Sequence, residues 1–404
     1  KFSSLVFQFY EENNLEPFSS WSNALSYIDE RQGNKKLVLV IDEFPYLVKK
    51  NRALLSEFQH LIDHKLTSGK MFLILSGSYM GFMEKEVLGS NSPLFGRRTA
   101  QLHMKPFTYQ TSAKFMTGFS DEEKLMLYGA YGGTPLYLQQ INEKESFEEN
   151  IKRTYLKVTS YLYEEALLLL RQEVQEPGVY SAIIEAIASG YTKANEISTK
   201  IGEDSAKCLK YIKILCELGI LHKETPFGEK ESSRKTIYGI SDFMFRFWYR
   251  YVFTNRTLIE TGAQQVVWEK RIKPDYCSYM GLVFEKVCMD YLNSKNARGE
   301  LPILYTSIGR WWGTNAATHG QEEIDLIAND GKDYLFGECK WRNEKLDISV
   351  LKDLKAKADV FRINRKNSYY VLFSKSGFTE AVLNEVRSDD SILLVDLAEL
   401  MTSC

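Results

Sequence analysis

An α/β fold in three successive parts is what the sequence predicts: a parallel sheet, then a helical middle closed by a three-helix-plus-hairpin unit, then an αβββαβ unit. Three observations carry it. Two apolar runs, 37–42 (LVLVID) and 71–76 (MFLILS), flank a segment with helical spacing; three helix-period segments follow one another from residue 179; and after residue 275 short apolar runs alternate with helices.

The bulk composition narrows the classes. With 404 residues the chain is too long for one core and suggests two to four domains of ordinary size. A formal net charge of −2 excludes a globally basic protein, so any nucleic-acid surface must be a local patch. Cys208, Cys216, Cys277, Cys288, Cys339 and Cys404 lack C-x-x-C spacing, which argues against a zinc site or a disulfide framework and for reduced thiols in a cytoplasmic setting. There is no apolar run of about 18 residues and no basic-then-apolar leader, so no membrane partner is expected. The first residue is Lys rather than Met, which fits a chain whose beginning is missing.

In the first part, 52–66 (RALLSEFQHLIDHKL) sets Leu54, Leu55, Phe58, Leu61 and Ile62 at helical spacing between the two strands. Strand, helix and strand make a βαβ unit, whose parallel strands put Asp42, Glu43 and Ser76 at one carboxyl edge, where doubly wound sheets bind ligands. An acidic pair ending a buried strand is costly unless it meets water or a cation. Phosphoryl-transfer sites use one such carboxylate on Mg²⁺ and a second to orient the attacking water; the plainer reading is a solvated strand end. No G-x-x-x-x-G-K-[ST] loop occurs anywhere, and the Gly69–Lys70 pair lacks the earlier glycine and the following hydroxyl. Half a nucleotide site, or a sequence that begins too late, is the expectation.

In the middle, helices are predicted over 179–188, 193–201 and 204–218, the last stopped by Gly219, with two strands around a polar loop in "ILHKETPFGEKESSRKTIYGI". That order is the winged-helix plan. Lys207, Lys210 and Lys213 recur every three residues opposite the apolar stripe, and Lys223, Lys230, Arg234 and Lys235 lie in or beside the wing. Together they would neutralise phosphates in a salt-sensitive contact with DNA; singly they are a solvated face, and winged helices also dock proteins. The aromatic block 241–253 (SDFMFRFWYRYVF) reads as interdomain core rather than a base-stacking platform.

In the last part, a helix at 278–294 precedes a strand near Gly309–Trp312, and a hairpin joins 322–328 to 333–341 through Asn329, Asp330 and Gly331, a strong turn signal. A helix (348–358), a strand (368–374), another helix and a strand (392–396) complete it. Asp325 and Glu338 sit on neighbouring hairpin strands, and Glu338 and Lys340 share a face by the strand period of two. Two carboxylates bind Mg²⁺ or Mn²⁺, and a lysine beside them can orient or help deprotonate a water attacking a phosphodiester. An E-x-K tripeptide alone is commonly an exposed strand edge. The order of elements around it resembles the PD-(D/E)xK, restriction-endonuclease-like core, and by that resemblance Glu285 on the preceding helix matches the extra acidic residue of such nucleases.

Across nearly the whole chain, "VLVIDEFPYL", "LILSGSYMGFMEKEVLGSNSPLFGRRTAQL" and "YGAYGGTPLYL" resemble the AAA+/STAND-related prokaryotic ATPases of the archaeal-ATPase family, and "YGISDFMFRFWYRYV" and "GLVFEKVCMDYL" resemble the DUF234 region that accompanies them. The resemblance implies a P-loop-type sheet whose phosphate loop lies upstream of the Asp-Glu strand, ATP and Mg²⁺ as cofactors, Asp42 as the Walker B magnesium residue, Glu43 as the catalytic glutamate and Ser76 as a sensor. It places Arg97 and Arg98 where an arginine finger stands, which in trans would need a homo-oligomer. Leu136 after "GGTP" departs from the sensor arginine of many AAA+ proteins. The implied domains are a partial ATPase core (1–107), a helical lid (108–175), a winged helix (176–255) and a nuclease-like domain (256–404). The expected function is ATP hydrolysis coupled to action on DNA; the alternatives are a metal-dependent DNA endonuclease with a scaffold ATPase part, or a non-catalytic adaptor for DNA or a protein partner.

Overall fold

A computed structural model describes residues 2–13, 15–32, 35–64, 70–78, 80–315, 319–361 and 365–402. The protein is a mixed α/β chain with a helical middle and a C-terminal five-stranded sheet, divided into two compact units, residues 1–104 and 105–404. Among the described residues no helix is long and apolar enough to cross a membrane.

In the first unit, strands β1 (Leu37–Ile41) and β2 (Met71–Leu75) pair in parallel, with Leu37 opposite Met71 and Ile41 opposite Leu75. The intervening helix is Leu54–His64, and residues 65, 66 and 69 of the expected helix and Gly-Lys pair lie outside the described residues. Its Leu54, Leu55, Phe58 and Leu61 pack with Ile41, Phe44 and Val48. Two helices that periodicity did not reveal, Phe2–Phe9 and Trp21–Gln32, add Val6, Leu25 and Ile28 to the same side.

The strands differ from the expectation of burial on both faces. Val38 and Phe72 are each 60% exposed, and Val40 and Ile74, paired beside them, are 55% and 39% exposed. The reason is the strand's period of two: the packed helices cover only the face carrying Leu37, Leu39, Ile41, Leu73 and Leu75.

In the second unit one apolar core runs from Tyr109 to Leu400, so segments 108–175, 176–255 and 256–404 fold against one another. Phe243, Met244, Phe245, Phe247, Trp248, Tyr249, Tyr251 and Val252 of the aromatic block are all buried in it. The middle contains helices Pro177–Ala188, Ala194–Ile201 and Ser205–Glu217. Asp204 caps the third by accepting from the amides of Ala206 and Lys207, and Gly219 ends it in the left-handed region that glycine tolerates. The hairpin that follows is β3 (Leu221–Glu224) and β4 (Ile237–Ile240), antiparallel.

The C-terminal sheet is ordered β5 (Ser307–Thr314), β6 (Gln321–Asn329), β7 (Tyr334–Lys340), β8 (Ser368–Ser374) and β9 (Ile392–Asp396), antiparallel up to β7 and parallel beyond it. Helix Tyr276–Ala297 packs on the face of β7 carrying Leu335 and Cys339; helix Ile348–Val360 packs on the face carrying Tyr334 and Phe336. The loop between β3 and β4 is tied to this sheet: the Phe227 amide donates to the Arg310 carbonyl at 2.7 Å, and the Phe227 ring lies 6.2 Å from that of Phe361.

Candidate functional site

At the end of β1 the chain turns sharply. Glu43 takes a left-handed conformation (φ 52°) immediately before helix Phe44–Lys50, whose first turn contains Pro45. The turn carries the two carboxylates to where β2 ends: the Ser76 hydroxyl donates to Asp42 at 2.5 Å and the Ser78 hydroxyl donates to Glu43 at 2.8 Å. The Pro45 ring closes on Gly77, where a Cβ would sit 2.5 Å from it, so only glycine fits between the two serines. Asp42 is exposed, whereas Oε2 of Glu43 is buried without a hydrogen-bond partner. Asp42, Glu43 and Ser76 therefore meet as the strand pairing requires. Ser78 was not singled out in the sequence, although two serines spaced two apart after an apolar strand were the available signal.

The arginine pair diverges. Arg97 donates from Nε and Nη2 to both Asp63 oxygens at 2.8 Å and from Nη1 to the Pro93 carbonyl at 2.9 Å, a bidentate engagement within its own unit. Arg98 is exposed and contacts Gln101.

The second acidic centre sits where β6 and β7 part. The last ladder pair is Leu326 with Gly337; one step on, the Cys339 amide is taken by the Asp325 carboxylate at 2.8 Å. Asp325 and Glu338 are 8% and 4% exposed. Lys340 Nζ lies 2.5 Å from Glu338 Oε1 and 3.9 Å from Asp325, and Lys357, from helix Ile348–Val360, lies 3.3 Å from each Glu338 oxygen. Burial, and then the nearby Glu338 charge, push Asp325 up to about 6. Burial alone would lower Lys340, but the Glu338 and Asp325 charges outweigh it and raise it.

Glu285 stands next to this centre rather than in it. Burial and the Asp325 charge push it up to about 8, and its nearest cation is Arg310 Nε at 3.5 Å. The Arg310 guanidinium, on β5, also meets Glu224 of the hairpin at 3.3 Å and pairs with Glu323 of β6. Among the described residues no three His, Cys, Asp or Glu side chains converge on one point as a metal cage. What fits a hard divalent cation is the two-carboxylate set Asp325 and Glu338, since Mg²⁺ binds through one or two carboxylates and keeps its waters. Lys357 and Arg310 were not legible as site residues. A lysine three positions from Leu354 at the rim of an apolar stripe was the one signal for the former.

The basic face of helix Ser205–Glu217 is partly self-neutralised. Lys207 pairs with Glu203 at 3.2 Å and Lys213 with Glu217 at 4.0 Å, while Lys235 in the hairpin pairs with Glu229 at 2.8 Å. Lys210, Lys230 and Arg234 are exposed.

Residues 3–141 match a family model described as an ATPase domain predominantly from Archaea, and residues 248–356 match DUF234, described as archaeal and bacterial proteins of unknown function. The chain is 35% identical over 369 residues to the uncharacterized protein MJECL04 of Methanocaldococcus jannaschii, an alignment covering 90% of this chain and 80% of that one. It is 42% identical over 52 residues to protein MJ0424 of the same organism, covering 13% of this chain and 50% of the relative. Protein VC1899 from Vibrio cholerae is similar over 95% of this chain and 92% of its own at 11% identity, with a TM-score of 0.24, too loose a superposition to define a shared fold.

Proposed function

Because the chain belongs to the family that joins an archaeal-type ATPase domain to a DUF234 region, we propose that it is an ATP-hydrolysing protein of the AAA+ type whose helical middle and C-terminal sheet act on DNA. The observation that carries the first half is the pairing of Asp42 with Ser76 and of Glu43 with Ser78 across adjacent parallel strand ends. An exposed carboxylate and a neighbour with an orphaned buried oxygen suit a hydrated Mg²⁺ and an oriented water. Asp42 would hold Mg²⁺ through water, Glu43 would orient the hydrolytic water, and Ser76 would report the γ-phosphate. Mg²⁺ would supply charge neutralisation on the phosphates. In the full-length protein, Glu43→Gln is expected to bind ATP but release phosphate at least about tenfold more slowly, the low end for loss of a group that handles the attacking water. Unchanged turnover removes Glu43 from the mechanism.

Under this reading the three helices and hairpin over 177–240 are a winged helix and the αβββαβ order of 276–396 is a PD-(D/E)xK-type fold. Lys210, Lys230 and Arg234, exposed on the helix and the hairpin, support a DNA contact.

A second reading is favoured by the buried Asp325–Glu338 pair with Lys340 against it. Here the C-terminal centre is a metal-dependent endonuclease. Asp325 and Glu338 would hold Mg²⁺ or Mn²⁺, which supplies Lewis-acid polarisation, and Lys340 would position the attacking water. Lys340→Ala is expected to abolish Mg²⁺- or Mn²⁺-dependent nicking of DNA in the absence of ATP; chelator-sensitive nicking that survives the substitution eliminates Lys340.

A further inference from the structure

We propose that Lys357 is a positioning residue of the C-terminal centre: it holds Glu338 while no cation is bound, and it moves to a DNA backbone phosphate once Glu338 binds a divalent cation. This rests on the metal-dependent reading of the Asp325–Glu338–Lys340 centre.

Both oxygens of Glu338 face Lys357 Nζ at 3.3 Å, and Oε1 also meets Lys340 at 2.5 Å. The Glu338 side chain is 5% exposed, so these two ammonium groups largely replace its water. Two contacts on Oε1 and one on Oε2 take most of the roughly four lone-pair sites of the carboxylate, so a metal that engages both oxygens must displace a lysine. The two lysines are not equally movable. Lys340 is two residues along the same strand and also lies near Asp325, so it stays at the centre when Glu338 changes partner. Lys357 comes from a separate element, a helix anchored by Leu351, Leu354 and Ala358, and its ion pair in the centre is with Glu338 rather than Asp325, so its four-carbon stem can swing away once that carboxylate changes partner.

Charge gives the direction. Asp325 and Glu338 against Lys340 and Lys357 sum to zero in the described state. A divalent cation on the carboxylates would bring the sum to +2, which draws in a phosphodiester and leaves Lys357 without its acidic partner. The phosphate oxygens are then the acceptors nearest in chemistry to the carboxylate it left.

The test uses full-length protein and Lys357→Gln, with two readouts of opposite sign. Mn²⁺ affinity, read by electron paramagnetic resonance, should tighten at least about threefold in the variant, because a competing cation has gone. Binding to a fluorescein-labelled DNA duplex in Ca²⁺ should weaken, and the slope of log affinity against log salt should fall by about 1, the signature of one lost phosphate contact. A loosened fold would weaken both. Unchanged or weaker Mn²⁺ binding in the variant, beside measurable binding in the parent, overturns the role of Lys357 and leaves the centre standing. No Mn²⁺ binding by the parent overturns the metal-dependent reading itself. An unchanged salt slope, or a parent that does not bind the duplex, overturns the phosphate contact.

Discussion

At the end of β1, Asp42 is exposed and meets a serine hydroxyl; where β6 and β7 part, Asp325 and Glu338 are buried and meet two ammonium groups. Both are carboxylate pairs at strand ends, yet they solve the cost of negative charge in opposite ways. In the first, Asp42 is open to solvent and accepts from a hydroxyl, so an incoming cation finds it accessible, while Glu43 accepts from Ser78 and keeps one oxygen buried and unpaired. Desolvation of the second would be prohibitive unpaired, so the fold itself provides the cations, and a metal must compete with them. Chemical likeness of residue type is thus a poor guide to how two sites behave before any ligand arrives.

The largest expected effect that separates the two pairs is a pH dependence. Burial and the Glu338 charge hold Asp325 up near 6 against an ordinary 3.8, so the native state keeps its proton longer than the unfolded chain. The favourable contribution is full below about 3.8 and is lost as pH rises through about 6, on the order of 3 kcal/mol for this group alone. Urea melts of metal-free protein should show that decline, and Asp325→Asn should flatten it; an equally steep profile in the variant sinks the assignment.

Next in size is Glu338→Ala. It removes the carboxylate that Lys340 and Lys357 share and leaves Lys340 only its longer contact with Asp325, and at pH 7 the expected loss is about 2 kcal/mol, below the figure for a fully buried pair because these lysines are 32% and 24% exposed. A loss under about 0.5 kcal/mol in chemical denaturation would mean that the lysines are solvated well enough without it.

The smallest effect belongs to the exposed carboxylate, Asp42. Asp42→Asn should change unfolding at pH 7 by less than about 1 kcal/mol, since the side chain is exposed and its contacts, from the Ser76 hydroxyl and the Glu43 amide, can be kept by an amide oxygen. If thermal melts gave it a penalty like that of Glu338→Ala, the contrast between the sites would be broken.

Periodicity made much of this legible. The βαβ pattern brought Asp42 and Ser76 to one edge, and the turn at Asn329, Asp330 and Gly331 aligned Asp325 with Glu338, because strand period and turn length determine register locally. What could not be read depends on packing across the sheet. Lys357 is 19 residues from Glu338 and reaches it only because its helix crosses the face on which Glu338 points. Arg310 looks like any strand cation until three acidic residues from three elements surround it. The opposite error arose at β1 and β2, where an unbroken apolar run looks the same whether one face is covered or two.

The tie between the hairpin loop and β5 has a consequence for local opening. Phe227 shares a backbone hydrogen bond with Arg310, and Glu224 shares its guanidinium, so the β3–β4 hairpin cannot fray without releasing a sheet edge. Amide protons of the two segments should then exchange with solvent as one cooperative body rather than as a loose loop and a rigid sheet. Anything that grips the hairpin would pull, through Arg310, on the strand beside Asp325.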